Sequence, residues 1–235
     1  MGNISTFTGF SKETIQFFKD IATSNNKSWF EQNRRIFDNY VMAEAQSFVV
    51  DMGEKLRIIS PEVVAIPKVD KSIFRLYRDT RFSKDKSPYK THLGIFFWDG
   101  SRKKMENSGY YFQLNADSIF VGVGLYMFPK DILQIYRDAV VDDKLGPKLV
   151  KTLKEIGKNP EYKIGGIHYK KPPRGYDPEH PHVKFLLHNG FFISFESKHP
   201  NELFSENFVE YCFNIFKEMS PIHFWLRSVI ENDSN

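Results

Sequence analysis

Residues 110–125 have the sequence YYFQLNADSIFVGVGL, in which apolar side chains recur at every second position on both sides of a turn-forming segment. The alternating residues are Tyr110, Phe112 and Leu114, followed by Ile119, Val121, Val123 and Leu125. A period of two is typical of β-strands that bury one face. The segment Asn115-Ala116-Asp117-Ser118 favours a tight turn between them. These residues therefore predict an antiparallel β-hairpin.

Further strands are predicted on both sides of this hairpin. The residues that alternate there are Leu93, Ile95 and Phe97 before it and Phe191, Ile193 and Phe195 after it. We also expect a strand over residues 73–79. Gly122 and Gly124 occupy the face opposite Val121 and Val123, so another backbone, a helix or a ligand approaches closely at these positions. Of the three, we favour a helix.

The N-terminal part of the chain has helical spacing. Ser28 and Glu31 have the spacing of a capping box, and apolar residues then follow at steps of three, four and seven as far as Ile59. This pattern predicts one long amphipathic helix, preceded by a shorter one from Ser11 to about Ala22 and ended before Pro61.

More helices are expected beyond the hairpin. They are predicted after Pro129, from Leu145 to Ile156, after Pro200, and as a last short helix that begins at Ser220-Pro221. Between them, residues 158–183 hold five of the 12 prolines and three glycines, which is typical of a long irregular loop or a linker. We favour a loop, because the strand that follows needs a sheet to join.

The order of these elements predicts an α+β fold, an antiparallel-rich sheet covered by helices, in a single domain over residues 1–235. Its predicted parts are N-terminal helices at about 11–59, a sheet core at about 66–126, helices at about 129–157, the proline-rich loop at 158–183, and a C-terminal strand and helices at 190–231. The usual nucleotide-binding fingerprints, a P-loop or a Gly-x-Gly-x-x-Gly motif after a strand, are absent from the sequence.

Composition limits the classes of protein that remain. The chain has 235 residues and a formal net charge of +4, and its only cysteine, Cys212, excludes an intramolecular disulfide and a cysteine-based zinc site. We find no signal peptide and no apolar run of 18 residues, so we expect a soluble, cytoplasmic protein without a membrane partner. We expect no cofactor, and composition leaves the oligomeric state open.

The densest group of charges lies between Arg75 and Lys90, where six cations accompany two acids. On a strand over 73–79, Arg78 falls on the more apolar face and must be paired. Guanidinium groups on a rigid strand can bind carboxylate or phosphate in a bidentate manner, and the loop that follows adds further cations. The expected ligand-binding residues of this segment are Arg75, Arg78, Arg81, Lys86, Tyr89 and Lys90. Alternatively, the arginines pair with internal acids and only brace the sheet.

A second candidate segment runs from Lys170 to His182. Its prolines stiffen the backbone and Gly175 permits a turn, so Arg174, Tyr176 and His180 could be held ready for a ligand. A metal site formed by Asp177, His180 and His182 is conceivable, but we expect no bound metal.

Residues 144–174 carry nine cations and two acids, a net charge of +7, so the remainder of the chain has a net charge of −3. The lysines at steps of three and four are Lys144, Lys148, Lys151, Lys154 and Lys158. Such a stripe can follow a phosphate backbone. A solvated helix face is the simpler interpretation.

With these segments considered together, the chain resembles the uncharacterised bacterial and fungal family called domain of unknown function 2461. The resemblance runs from about Phe7 to the last helix. The motifs that carry it are Asn25-Asn26 with Trp29-Phe30, Arg78 to Ser83 continuing into Asp85 to Lys90, and Pro173 to Asp177 with His180-Pro181. The family usually has basic residues where this chain has His188-Asn189-Gly190. The resemblance implies a soluble α+β domain and no established activity, substrate or cofactor.

Our first hypothesis is that the two segments converge on one pocket for an anionic small molecule bearing phosphate or carboxylate. In this hypothesis Arg78, Arg81 and Arg174 bind the anion, and Tyr89, Tyr176 and His180 orient it. Asp79 and His180 are the candidate catalytic residues if a reaction occurs. The alternatives are weak, non-specific nucleic-acid binding through the lysine stripe and a non-catalytic interaction domain.

Overall fold

The computed structural model of the protein describes residues 4–232. Its centre is a five-stranded antiparallel sheet in the order β1-β2-β3-β5-β4. The strands are β1 (His92–Trp98), β2 (Gly109–Asn115), β3 (Ser118–Leu125), β4 (Lys163–Ile167) and β5 (His188–Lys198). The predicted hairpin is confirmed as β2 and β3, and the Asn115 side chain closes its turn by accepting hydrogen bonds from the amides of Asp117 (2.9 Å) and Ser118 (2.7 Å).

Helices precede and follow the strands. They are α1 (Lys12–Thr23), α2 (Lys27–Ile36), α3 (Ala43–Leu56), α4 (Lys130–Val141), α5 (Leu145–Ile156) and α6 (Asn207–Asn232). A π-helical segment, Phe37–Met42, joins α2 to α3, so the predicted long N-terminal helix is confirmed as one helical stretch with a wider middle turn. The α+β class, built on one sheet, is confirmed.

Four local predictions are wrong. The N-cap of α2 is Asn26, whose side chain accepts from the amide of Trp29 at 3.0 Å, and the predicted capping serine, Ser28, lies inside the helix. The expected strand over 73–79 forms only isolated bridges, Ile73 with Ile95 and Tyr77 with Tyr89. The loop predicted over 158–183 contains strand β4, which pairs antiparallel with β5 across a bulge between Gly165 and Ile167. The last two predicted helices are one helix, α6, with Pro221 in its interior.

At Gly124, the closely approaching neighbour is the backbone of strand β5 and not the helix that we favoured. Gly124 has a φ of +137°, and a Cβ atom on it would lie 2.3 Å from the carbonyl oxygen of Phe191 in β5. A side chain at this position would therefore need both a strained backbone and a displaced neighbouring strand.

The described chain divides into two compact units. Within residues 4–232, the first comprises residues 4–97, Tyr111–Val121 and Glu196–Asn214, and the second comprises Trp98–Tyr110, Gly122–Phe195 and residues 215–232. Phenylalanines fill the interior of the first unit, where the ring centres of Phe48 and Phe112 are 4.9 Å apart and those of Phe10 and Phe208 are 5.9 Å apart. In the second unit Tyr136 stacks on Phe128 at 4.5 Å and donates to the carbonyl of Phe185 at 3.0 Å.

Candidate anion-binding site

The loop of residues 78–88 pairs two of its four cations with its own two acids. Arg81 donates through Nε and Nη2 to the Asp79 carboxylate at 3.0 and 2.7 Å. Arg78 forms an ion pair with Asp85, and Lys86 donates to the carbonyl of Thr80 at 2.9 Å. Three of the predicted anion ligands, Arg78, Arg81 and Lys86, thus already have partners within the loop. For the two arginines, this is the arrangement expected if they pair with internal acids and only brace the sheet.

These contacts also determine the state of the two acids. Hydrogen bonds from Arg81 lower the pKa of Asp79 to about 2, with a smaller contribution from the charge of Arg75. Hydrogen bonds from Ser87, and then from Arg78, lower the pKa of Asp85. A carboxylate with a pKa near 2 is a weak proton acceptor at neutral pH, so Asp79 is better suited to holding Arg81 than to general-base chemistry.

Three other cations of the segment, Arg75, Lys84 and Lys90, lack such partners among the described residues. Arg75 is exposed, Lys90 is half-buried, and neither has a carboxylate within 4 Å among residues 4–232. The Lys90 ammonium lies 5.2 Å from the centre of the Phe74 ring. Burial lowers the pKa of Lys90, the positive charge of Arg75 lowers it further, and Asp70 partly opposes both effects. Arg75 and Lys90 thus have no acid within ion-pair distance in the described residues, so an anion bound beside them would be stabilised.

Backbone pairing brings the segment that carries Arg75 beside the segment that carries Lys90. Phe74 donates its amide to the carbonyl of Gly94 at 2.9 Å, and Lys90 donates its amide to the carbonyl of Leu76 at 2.8 Å. The chain before residue 78 therefore runs antiparallel to the chain that leads into β1. This pairing places Arg75 opposite the segment that carries Lys90 and His92.

His92, at the start of β1, completes what we call the basic cluster: Arg75, Lys90 and His92. Burial lowers the pKa of His92 to about 4, and the charge of Lys90 contributes in the same direction. The imidazole is therefore neutral at pH 7, with one nitrogen that donates and one that accepts. The cluster can thus offer an anion two charges and one neutral hydrogen-bond donor.

Tyr111 and Gln113 of β2 lie beside each other on the partly exposed face of the sheet. They alternate with the buried residues Phe112 and Leu114. The Tyr111 hydroxyl donates to Oε1 of Gln113 at 2.9 Å. Because this oxygen accepts from Tyr111, the amide NH₂ of Gln113 is the end of that side chain that can donate to another group.

Tyr89, which we expected to orient a ligand, is buried among other aromatic side chains. Only 1% of its surface is exposed, its ring lies 4.6 Å from that of Phe30, and burial raises its pKa to about 12. The Asn25 side chain holds the backbone of Tyr89 through two hydrogen bonds of 2.9 and 3.0 Å. We therefore assign Tyr89 to packing and remove it from the proposed ligand set.

The proline-rich loop is attached to α4. The Tyr176 hydroxyl donates to Asp138 at 2.6 Å and accepts from Nε2 of Gln134 at 2.8 Å, and burial raises its pKa to about 12. Gly175 has a φ of +92°, as expected of a turn, and the neighbouring Arg174 is exposed with no ion pair among the described residues. Tyr176 thus positions the loop.

Arg137, on α4, was missed by the sequence analysis. Its guanidinium lies 5.0 Å from the centre of the Tyr169 ring, and its buried Nε has no hydrogen-bond partner in the structure. Helical spacing places Arg137 one residue after the buried Tyr136, and only an alignment or a structure could have distinguished it from an ordinary surface arginine.

The two candidate segments belong to different units, Arg75–Lys90 to the first and Arg174–His180 to the second. Their convergence on one pocket therefore stays a prediction. In the loop, Nδ1 of His180 accepts from the amide of His182 at 3.1 Å, which orients the His180 ring. No group of three or more metal-ligating side chains occurs within the described ranges. The expectation of a metal-free protein stays a prediction.

A buried polar network in the second unit was also not predicted. Asp99 accepts from Nη1 of Arg227 at 2.6 Å and lies 3.8 Å from Nε2 of His223, whose Nδ1 is 3.0 Å from the Ser108 hydroxyl. These residues are distant in sequence, so no local motif announces them. Asp99, Ser108 and Arg227 line a small cleft of about 30 Å³.

Fold and site together define an α+β protein with uncompensated cations at the edge of an antiparallel sheet. The sequence profile of the family described as conserved hypothetical protein (DUF2461) matches residues 13–225, and the chain belongs to this family. A search of the curated proteins finds no match. No helix among residues 4–232 is both long enough and apolar enough to cross a membrane.

Proposed function

We propose that this protein binds an anionic small molecule, bearing phosphate or carboxylate, at the basic cluster of Arg75, Lys90 and His92. One observation carries the proposal: neither Arg75 nor Lys90 has an acid within 4 Å in the described part of the chain, and the Lys90 ammonium is half-buried beside the Phe74 ring. The positive charge of Arg75 also repels that of Lys90 and lowers the pKa of Lys90. A bound anion would remove this repulsion, and the half-buried ammonium of Lys90 would strengthen the attraction.

The contrast with neighbouring cations supports this choice. Arg78 and Arg81 are neutralised by Asp85 and Asp79, so binding an anion there would first require an existing ion pair to separate. Arg75 and Lys90 need no such rearrangement. The neutral imidazole of His92 adds a hydrogen-bond donor without additional charge, which suits the oxygens of a phosphate or carboxylate.

Calorimetric titration with inorganic phosphate and with acetate, at constant ionic strength, tests the proposal. We expect saturable binding of at least one anion. Charge-assisted hydrogen bonds contribute about 1.5–3 kcal/mol each, so Arg75→Gln and Lys90→Gln should each weaken binding by about tenfold or more.

Lys19→Gln is the matched control, because Lys19 is an exposed cation of α1 with no ion pair among the described residues. It removes the same charge from the same unit and should leave the affinity unchanged. Equal effects of all three substitutions would indicate general electrostatic attraction, and an absence of saturable binding to either anion would contradict the proposal.

A second function is favoured by a separate observation. Lys144, Lys148, Lys151 and Lys154 are all exposed along α5 without an ion pair in the described chain, whereas Lys158 pairs with Glu155. Such a face attracts nucleic acid weakly and without sequence preference. A steep fall of affinity with salt separates this function from anion binding at the basic cluster.

A further inference from the structure

Phe82 projects from the loop of residues 78–88, with 95% of its surface exposed, more than any other large hydrophobic side chain among the described residues. We call this loop the Phe82 tip. The turn that carries the ring is closed by the amide of Ser83, which donates to the carbonyl of Thr80 at 3.3 Å. The Arg81 guanidinium lies 5.8 Å from the ring centre, and the ring is otherwise open to solvent. A lone exposed ring is common on protein surfaces, but the charges around this one narrow the surfaces that fit it.

The Phe82 tip is basic. Lys84 and Lys86 are both exposed, and Lys84 has no ion pair among the described residues. Lys86 donates only to a carbonyl oxygen, that of Thr80, and so keeps its charge uncompensated. Four cations and two acids give the tip a net charge of +2. A surface that fits it is therefore apolar at its centre and acidic at its rim.

A groove of about 320 Å³, in the same unit as the tip, has an apolar centre. Side chains of α3 and of the start of α6 line it, and its apolar lining residues are Phe7, Ile58 and Val209. The Ile58 side chain is 68% exposed. A cavity of about 150 Å³ holds a benzene molecule, so this groove accommodates one phenylalanine ring.

The same groove is acidic. Asp51, Glu54 and Glu206 line it, and Asp51 accepts a backbone amide at 2.8 Å. Glu54 and Glu206 are exposed and have no ion pair in the part of the chain that the structure describes. Lys55, the cation among the lining residues, is paired with Glu210 at 2.7 Å. This acidic groove therefore carries a charge opposite to that of the Phe82 tip.

From this match we infer that the Phe82 tip of one copy of the protein docks in the acidic groove of a second copy. The ring of Phe82 fills the apolar centre of the groove, and Lys84 and Lys86 face the carboxylates of Glu54 and Glu206. The basic cluster takes no part, so this association is independent of the proposed function. Because one aromatic anchor and a few exposed charges make a small interface, we expect a dissociation constant on the order of 10⁻⁴ M. Each copy has both surfaces, so copies can join into a ring or an open chain.

Sedimentation velocity of the full chain from about 10 μM to about 1 mM tests the inference, because this range brackets the expected dissociation constant. We expect association to increase with concentration and to weaken when salt rises from about 0.05 to about 0.5 M, which screens exposed charges. Phe82→Ser should weaken association by about tenfold or more, as for other aromatic anchors. Tyr126→Ser is the matched control, since Tyr126 is 69% exposed and lies outside both surfaces, and it should have no effect.

Charge reversal tests whether the two surfaces meet. One variant carries Lys84→Glu with Lys86→Glu, and the other carries Glu54→Lys with Glu206→Lys. Each alone should stay monomeric, because its tip and groove then have charges of the same sign, and an equimolar mixture of the two should associate. A wild type or a mixture that stays monomeric over the whole concentration range, or equal losses in Phe82→Ser and Tyr126→Ser, would overturn the inference. A monomeric protein that binds anionic vesicles through Phe82 would assign the tip to a membrane surface and overturn it as well.

Discussion

Arginines only a few residues apart in this sequence have different roles. Arg78 and Arg81 are bound by acids of their own loop, whereas Arg75 has no carboxylate within reach in residues 4–232. Residue type alone did not separate them. The difference arises because Asp79 and Asp85 lie in the turn after residue 78, where a short loop brings acid and base together.

Arg78→Gln tests this division of roles. The pair with Asp85 is partly exposed, so we expect a free energy of unfolding lower by about 1 kcal/mol and an unchanged affinity for phosphate. Urea denaturation measures the first quantity and calorimetric titration the second. A tenfold loss of affinity in a folded Arg78→Gln protein would return Arg78 to the ligand set.

His92 makes the stability of the protein depend on pH. Its pKa is about 4 in the folded chain, mainly because of burial, against an ordinary value of 6.5. Between these values the unfolded state binds more protons, so the free energy of unfolding falls as the pH falls from 6.5 to 4, and the stabilisation is fully present above 6.5. We expect this residue to account for a loss on the order of 2 kcal/mol.

Urea denaturation of the wild type and of His92→Gln at several pH values between 4 and 7 isolates this effect, because other titrating groups are common to both proteins. The His92→Gln protein should lose less stability over the interval. Parallel pH profiles for the two proteins would show that the imidazole titrates in the same way in the folded and unfolded chains.

At the level of elements, α6 accommodates a proline in its interior. Pro221 has no amide proton, so the carbonyl of Lys217 cannot receive the usual helical hydrogen bond from it. The Ser220 hydroxyl donates to that carbonyl at 2.8 Å. In the sequence, Ser220-Pro221 resembles the start of a helix. In the structure it lies inside one continuous helix, where the Ser220 hydroxyl replaces the hydrogen bond that Pro221 cannot donate.

A double-mutant cycle tests this compensation. Ser220→Ala should lower the free energy of unfolding by about 1 kcal/mol, because the partly buried hydrogen bond to the carbonyl of Lys217 is lost. In a Pro221→Ala background the restored amide supplies the hydrogen bond, and Ser220→Ala should then cost less. Additive effects of the two substitutions in urea denaturation would contradict this account of α6.

The exposed lysines of α5 determine how the chain interacts with nucleic acid. We expect affinities on the order of 10⁻⁴ to 10⁻⁶ M, without sequence preference and falling steeply with salt. Titration of a labelled single strand and a duplex at several salt concentrations measures this. The variant is Lys148→Glu with Lys151→Glu, and the charge-matched control is Lys170→Glu with Lys171→Glu. Submicromolar affinity that only the first variant abolishes would favour nucleic-acid binding over the small-anion proposal.

Sequence patterns predicted those elements whose apolar residues follow a clear period. The hairpin β2–β3 and helix α5 are confirmed for this reason. Strand β4, with the sequence KIGGI, was missed because two of its five residues are glycines. A bulge between Gly165 and Ile167 also interrupts its pairing with β5. Its side chains are mostly exposed, so no apolar period marks it.

For the proposed site, the sequence named Arg75 and Lys90 through the charge density between them, but it did not name His92. The resemblance of the chain to the family of conserved hypothetical proteins is confirmed. The sequence did not implicate His92, Tyr111 or Gln113, because their roles depend on which strand face they occupy beside Lys90. Ion pairing within the loop and burial of Tyr89 likewise depend on three-dimensional contacts.

At the scale of the whole molecule, the central claim is that the chain binds a small anion at one place, the basic cluster. The most direct test is a titration of isotope-labelled protein with inorganic phosphate at about 0.15 M salt, followed by amide and side-chain NMR. We predict saturable shifts centred on Arg75, Lys90 and His92, lost in Lys90→Gln and retained in Lys19→Gln. Shifts centred on the lysines of α5, or no saturable shifts at all, would contradict the claim.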